Sequence, residues 1–507
     1  MNEHSTAHAP AAPASPGPTI LPPSGGMRVP VHMFVSPEIM PGREALDELE
    51  LLARTAGLAH PIVAMPDVHY KGRNPAPTGI VLATREQLVP YAVDKGINCG
   101  MRMVRTDLPA SACTDTMLDA LYAELQRQIP IQPHHEAVLR KKDVRRALTE
   151  GGRWACERYE LPPSELDYIE RRGGMFDGLD VDPEEVLRAV PEAALRKARR
   201  AIGTLGAGNH FLEAQEIVEV LDEPKARLLG LEKGKVLFMM HTGSGAVGSL
   251  VMRYYSTHAR AESLPDRLQF DFEKLRFHLR TSRLAAADLR AIWNYMFTHR
   301  KFFTIPADSH QGRRFVQAVY AASNFGFVNR MAITEALRNA VRTTFGEPEL
   351  AMPLLFDCSH VTIQQEEHHG ERVWVHRHGA NVALPPLRCA DHPVFSQTGQ
   401  PIPVPGSMGS DSYVGVGVEG NAATYCSANH GAGRVLDKPQ AMAQFTERGV
   451  EEEMMARHIR LYRGGTMNIA EQAPGSFKDI RRVIEVMRAL EIAQPVVRVR
   501  PLATMKG

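Results

Sequence analysis

Lys235-Val236-Leu237-Phe238-Met239-Met240-His241-Thr242-Gly243-Ser244 is a short apolar strand that runs straight into a glycine turn, and the turn opens on a histidine. A like apolar run stands at Pro353 to Phe356 ahead of His360, and the pattern recurs in mirror order at Met101 to Arg105 just after Cys99-Gly100. Short apolar runs punctuated by glycine read as buried strands. Between them, helices are expected at 115–129, 136–158, 183–201, 315–344, 438–462 and 478–492. Strands and helices follow one another without a βαβ rhythm and without an internal repeat. The expected class is therefore α+β, a complex single domain with mixed sheets and helices at its periphery. No linker divides residues 27–507, so the domain is expected to fill that span. Residues 1–26 are mostly Ala, Pro, Ser and Gly, too poor in large apolar side chains to fold, and are expected as a disordered tail.

Working outward, the chain of 507 residues is 44% hydrophobic and 23% charged with a formal net charge of +1. Near-neutrality means that any hold on nucleic acid must come from local patches rather than overall charge. No apolar run reaches membrane-spanning length, and the N-terminus lacks the basic and apolar regions of a secretory signal. Six cysteines at 99, 113, 156, 358, 389 and 426 have no paired spacing, which suits free thiols in a reducing compartment, by default the cytoplasm. The basic run Arg140, Lys141, Lys142, Arg145, Arg146 and the later Arg196, Lys197, Arg199, Arg200 read first as a solvated helix face, with a phosphate-tracking surface as the alternative.

Four segments each place a metal-ligating side chain in or beside a turn: Cys99, His210, His241 and His360. A thiolate with three imidazoles suits a divalent transition ion. Taken singly, such a residue is more often a buried thiol or a solvated or hydrogen-bonded histidine than a ligand, and no local CxxC or HExxH spacing settles the matter. Three small-residue loops, Gly203 to Asn209, Pro405 to Ser410 and His430 to Arg434, offer backbone N–H groups that an anion can approach closely. None is a Walker or Rossmann fingerprint. His430, flanked by Gly431 and Gly433, is sterically open to in-line attack on phosphorus, with Arg434 nearby to neutralise charge.

The combination of Met65-Pro66-Asp67-Val68-His69, Cys99-Gly100-Met101-Arg102, Leu205 to Glu213, His241-Thr242-Gly243-Ser244, Pro405 to Gly409 and His430 to Arg434 resembles the ordered blocks of the RtcB ligase family. The chain also ends as that family does, with Arg500-Pro501 and Lys506-Gly507, and the resemblance runs in order over about 27–507. It implies a central metal and GTP pocket holding one or two Mn²⁺ through Cys99, His210, His241 and His360, with Asp94 the carboxylate nearest the family's acidic position. It implies His430 as nucleophile on the α-phosphate of GTP, forming a histidine–GMP adduct. It implies GTP contacts from Asn209, His210, Phe211, Leu212, Glu213, Pro405, Gly406, Ser407, Met408, Ser412, His430, Gly431, Ala432, Gly433, Phe477 and Lys506. The implied partners are RNA ends, a 3′-phosphate or 2′,3′-cyclic phosphate and a 5′-hydroxyl, joined in tRNA splicing or RNA repair, and an archease-type activator.

Four positions depart from the family's pattern. Gly96 stands where an aspartate is usual, Gly245 where an arginine is, Val361 where an asparagine is, and Phe477 where a tyrosine is. Nucleophile and primary-metal positions are thus kept, while second-metal and RNA-phosphate positions are altered. Two other functions stay open on the residues alone. A manganese phosphoesterase would need the metal ligands but not the GTP loops or Lys506; a GTP- or RNA-end-binding protein without turnover would not need His430.

Overall fold

Two sheets carry the architecture of the computed structural model, which describes residues 17–72, 76–93, 95–256, 263–297, 303–465 and 467–507. The larger has eight strands, in the order Leu354–Ser359, Gly100–Pro109, Lys235–Thr242, Phe211–Val220, Ala493–Lys506, Ser412–Gly417, Pro401–Val404, with Arg460–Arg463 added alongside Ala493–Lys506. The smaller has six, in the order Thr19–Leu21, Val31–Met33, Ile62–His69, Thr78–Thr84, Glu371–His378, Val361–His368. Pairing is antiparallel except for Val31–Met33 with Ile62–His69 and Arg460–Arg463 with Ala493–Lys506. Consecutive antiparallel strands alternate with pairs distant in sequence, such as Leu354–Ser359 beside Gly100–Pro109 and Thr78–Thr84 beside Glu371–His378, and the chain adopts the expected α+β class.

The three strands expected from apolar runs are present and sit side by side at one edge of the larger sheet. Met101 pairs with His241, Gly100 with Thr242, and Ser359 with Gly100, so their ends are level. His241 also pairs with Phe211. That register gathers at one end of the sheet the residues just before or at each strand terminus.

Helices cover the sheets. The longest, His310–Phe345, starts on Ser309, whose hydroxyl accepts from the Gly312 N–H, and stops at Gly346 with φ 67°. It is buried around most of its girth, with Phe315, Phe325, Phe327 and Arg330 fully enclosed, and packs on Asp115–Gln128, Lys141–Glu150, Gly152–Tyr159 and Ala246–Tyr255. The expected helix 136–158 is instead two, broken at Gly151 (φ 57°, ψ −126°), where any side chain would collide with the Gly173 carbonyl. The expected helix 183–201 is split into Pro183–Ala189 and Glu192–Ala201 by Pro191, which holds Val190 extended. The segment 438–462 is two short helices, Lys438–Gln444 and Glu447–Ala456, followed by the strand Arg460–Arg463.

The apolar faces of the segment 115–200 join the largest core cluster through Leu118, Leu121, Leu125, Val144 and Leu148. Of its basic residues, Arg140 pairs with Asp143 and Arg146 with Glu150 and Glu157. Thr19–Leu21, within the stretch 1–26 expected as a tail, forms a strand paired with Val31–Met33, while residues 1–16 lie outside the described residues. Among the described residues no helix is long and apolar enough to cross a membrane.

Candidate active site

At the level strand ends, the Cys99 thiol lies 3.1 Å from His241 Nε2 and 3.4 Å from His210 Nε2. His360 Nε2 is 3.2 Å from His241 Nε2, and the His360 N–H donates to the Cys99 carbonyl at 2.9 Å. Behind two of the imidazoles stand backbone acceptors: His210 Nδ1 donates to Leu205 O (2.9 Å) and His241 Nδ1 to Asn209 O (3.1 Å). A carbonyl only accepts, so Nδ1 carries the proton and the Nε2 lone pairs face the thiol. This is the tautomer a metal requires. Burial lowers the pKa of His210 to about 4 and that of His241 and His360 well below the ordinary value, so the rings are neutral near pH 7. Soft sulfur, neutral nitrogen and convergent lone pairs fit a divalent transition ion. Among the described residues the cluster Cys99, His210, His241 includes no carboxylate. Asp94 lies outside the described residues, and Gly96 stands open beside the Cys99 Cβ.

His430 adjoins this cluster, its ring 4.9 Å from that of His360. Its Nδ1 donates to Asp67 Oδ2 at 2.6 Å, and its backbone N–H donates to the same oxygen at 3.1 Å. Asp67 is fully buried. A carboxylate held there fixes the ring's orientation and tautomer and leaves Nε2 as the free lone pair. Close packing makes this contact: a side chain on Gly433 (φ 73°) would strike the Asp67 carbonyl, and one on Gly79 would come within 2.7 Å of Asp67 Oδ1. Asp67 lies in a block already quoted from the sequence, but its partnership with a histidine 363 positions away had no local signal.

A cavity of ≈ 570 Å³ opens in front of His430. The residues expected to touch GTP line it at Asn209, Phe211, Glu213, Pro405, Gly406, Ser407, Met408, Ser412, His430, Gly431, Ala432, Gly433, Phe477 and Lys506. Leu212 is in the core instead, because side chains alternate along the strand Phe211–Val220, and His210 stands in the thiol–imidazole cluster. Lys506 Nζ sits 4.9 Å over the Phe211 ring, and burial lowers its pKa to about 8, with Glu213 acting against that shift. Arg434 is committed to structure: its Nε donates to Leu436 O and one Nη to Glu471 O, and it lies over the Phe477 ring. Gln472, which the sequence reading passed over, also lines the cavity. It is 1% exposed, and neither its amide oxygen nor its nitrogen has a hydrogen-bond partner. An enclosed amide with nothing to bind is costly unless a ligand completes it.

Arg330 holds the cluster's frame. Its guanidinium donates to Asp357 Oδ1 (2.8 Å), Asn98 Oδ1 (2.7 Å), Asn98 O (2.9 Å) and Thr242 O (3.0 Å). One buried cation thus ties the residue before Cys99, the residue after His241 and the strand before His360. Asn98 is left-handed (φ 52°), a conformation asparagine tolerates. Of the remaining departures, Gly245 (φ 52°) precedes the helix Ala246–Tyr255, and Val361 is buried with its carbonyl accepting from the Asn98 N–H.

Over residues 48–507 the chain matches the family model described as tRNA-splicing ligase RtcB. It is 31% identical over 457 residues to the tRNA-splicing ligase RtcB of Pyrobaculum aerophilum, covering 88% of this chain and 87% of that protein. It is 32% identical over 467 residues to the RNA-splicing ligase RtcB of Mycobacterium bovis, covering 90% and 99%. Against the tRNA-splicing ligase RtcB of Pyrococcus furiosus the identity is 32% over 421 residues, 81% of this chain but only 40% of the relative's length.

Proposed function

The chain belongs to the RtcB family, and from that premise we propose that it is a GTP- and Mn²⁺-dependent RNA ligase acting through a histidine–GMP intermediate. The observation that carries the reading is His430, whose Nδ1 is fixed on Asp67 while its ring abuts His360 of the metal-ligating cluster and faces the cavity.

GTP binds in that cavity with its base between Phe211, Phe477 and Glu213 and with Lys506 as the enclosed cation. Gln472 gives its unpartnered amide to the nucleotide. His430 Nε2 attacks the α-phosphorus in line, the bond to pyrophosphate breaks, and the imidazole keeps its Nδ1 proton on Asp67 throughout. An RNA 3′-phosphate oxygen then displaces His430 from the GMP phosphorus. A 5′-hydroxyl oxygen attacks the activated 3′-phosphate, expelling GMP and closing the phosphodiester. Mn²⁺, held by Cys99, His210, His241 and His360, supplies Lewis-acid polarisation of phosphoryl oxygens when bound. Six free thiols suit a reducing compartment such as the cytoplasm.

The test is incubation with α-labelled GTP and Mn²⁺, followed by a search for acid-labile label on the protein. The parent is expected to carry it. His430→Ala is expected to stay folded, with a lower melting temperature because the buried Asp67 loses its ring partner, to keep its metal and to carry none. An unlabelled parent points to a phosphoesterase or a binding protein, and a labelled His430→Ala refutes the nucleophile.

A further inference from the structure

Residues 263–297 form a helical hairpin, Leu264–Arg280 and Ala286–Phe297, whose exposed surface carries large apolar side chains among charged ones. Leu264, Leu268 and Phe272 on the first helix are four residues apart, and so are Leu289, Trp293 and Phe297 on the second. That spacing puts each trio on one face of its helix. All six are between 47% and 69% exposed. The hairpin's inner surface is firmly anchored, so these faces are not turned outward by loose packing. Lys274 Nζ donates to Ser256 O (2.6 Å) and Tyr295 O (2.7 Å). His278 stacks on Tyr295, and Phe270 and Phe277 pack edge-on against Tyr254.

We infer that this hairpin face is a dimer interface, its occupant the same hairpin of a second copy of this chain. Six large side chains more than half exposed on average present roughly 700 Å² of apolar surface, above the patch of about 300–600 Å² that a monomer ordinarily tolerates. It is close to the ~800 Å² per partner of a standard stable interface. Two helices with ridges at four-residue spacing are complementary to themselves, and a two-fold axis facing hairpin to hairpin closes a four-helix arrangement. Charges beside the ridge are of both signs, as in the Arg267–Asp271 pair, so a second copy meets no uniform field. The ridge positions themselves carry no cation, which disfavours an RNA backbone as occupant.

Sedimentation equilibrium of the full chain between about 0.1 and 100 µM is expected to show a reversible dimer. Phe272→Glu and Trp293→Glu, both at exposed positions, are each expected to give a monomer with the parent's melting temperature and the parent's GTP labelling. Trp293 emission is expected to shift to the red on dilution, as its ring leaves the interface. A parent that stays monomeric throughout overturns the inference. So does a dimer that survives both substitutions, which would place the interface elsewhere. A monomer whose binding to single-stranded RNA is lost in both variants would also overturn it and make the face a nucleic-acid surface.

Discussion

Replacing Asp67 by asparagine separates the charge behind His430 from the geometry it enforces. Both His430 donors, Nδ1–H and the backbone N–H, fall on Oδ2, while Oδ1 has no hydrogen-bond partner. An asparagine with its oxygen in the place of Oδ2 therefore keeps both contacts, and what vanishes is the negative charge. As Nε2 bonds to phosphorus the ring becomes cationic, about 4–5 Å from that charge. Coulomb attraction at this range with an effective dielectric of ~20 is about 3–4 kcal/mol. Losing it slows the chemical step about 10²–10³-fold at 1.36 kcal/mol per decade. The assay is the single-turnover rate of label transfer from α-labelled GTP at saturating Mn²⁺, alongside thermal melting and metal content. The expected variant melts near the parent, holds its metal and labels slowly. A folded, metal-loaded Asp67→Asn that labels within about threefold of the parent would refute the electrostatic role.

Cys99→Ala removes the only sulfur from the cluster; purified protein analysed for metal after dialysis should retain far less manganese than the parent, and labelling should fall with it. Gln472→Leu is expected to act in opposite directions on its two readouts. The nucleotide-free protein gains about 1–3 kcal/mol because an unsatisfied buried amide is gone, while GTP affinity drops about three- to tenfold for the lost hydrogen bond. Equal affinity would remove Gln472 from the nucleotide site. For pH dependence, Lys506 is cationic below its pKa of about 8 and neutral above it. GTP affinity should therefore weaken as pH rises through 8, by up to about tenfold per unit, and the effect should vanish in Lys506→Met.

Local order was sufficient for some of this protein. Apolar runs of strand length, two of them beside glycine, marked the three strands that carry the site, because burial is written in consecutive residues. His430 between two glycines was legible for the same reason, and so were Cys99, His210, His241 and His360 as candidate ligands. The residues could not state their own convergence. Cys99 meets His241 because Met101 pairs with His241, and a strand slipped by one residue would turn every side chain to the other face. That register is set by burial across both sheets, and Arg330 bridging Asn98, Thr242 and Asp357 helps to fix it. Gly151 and Pro191 ended helices that periodicity alone carried through them, since continuation depends on what the neighbouring chain leaves room for. Asp67 behind His430, the vacant amide of Gln472 and the hairpin's outward apolar face share one cause. Each is a relation between a side chain and whatever packs, or fails to pack, against it, and only the folded chain assigns those neighbours.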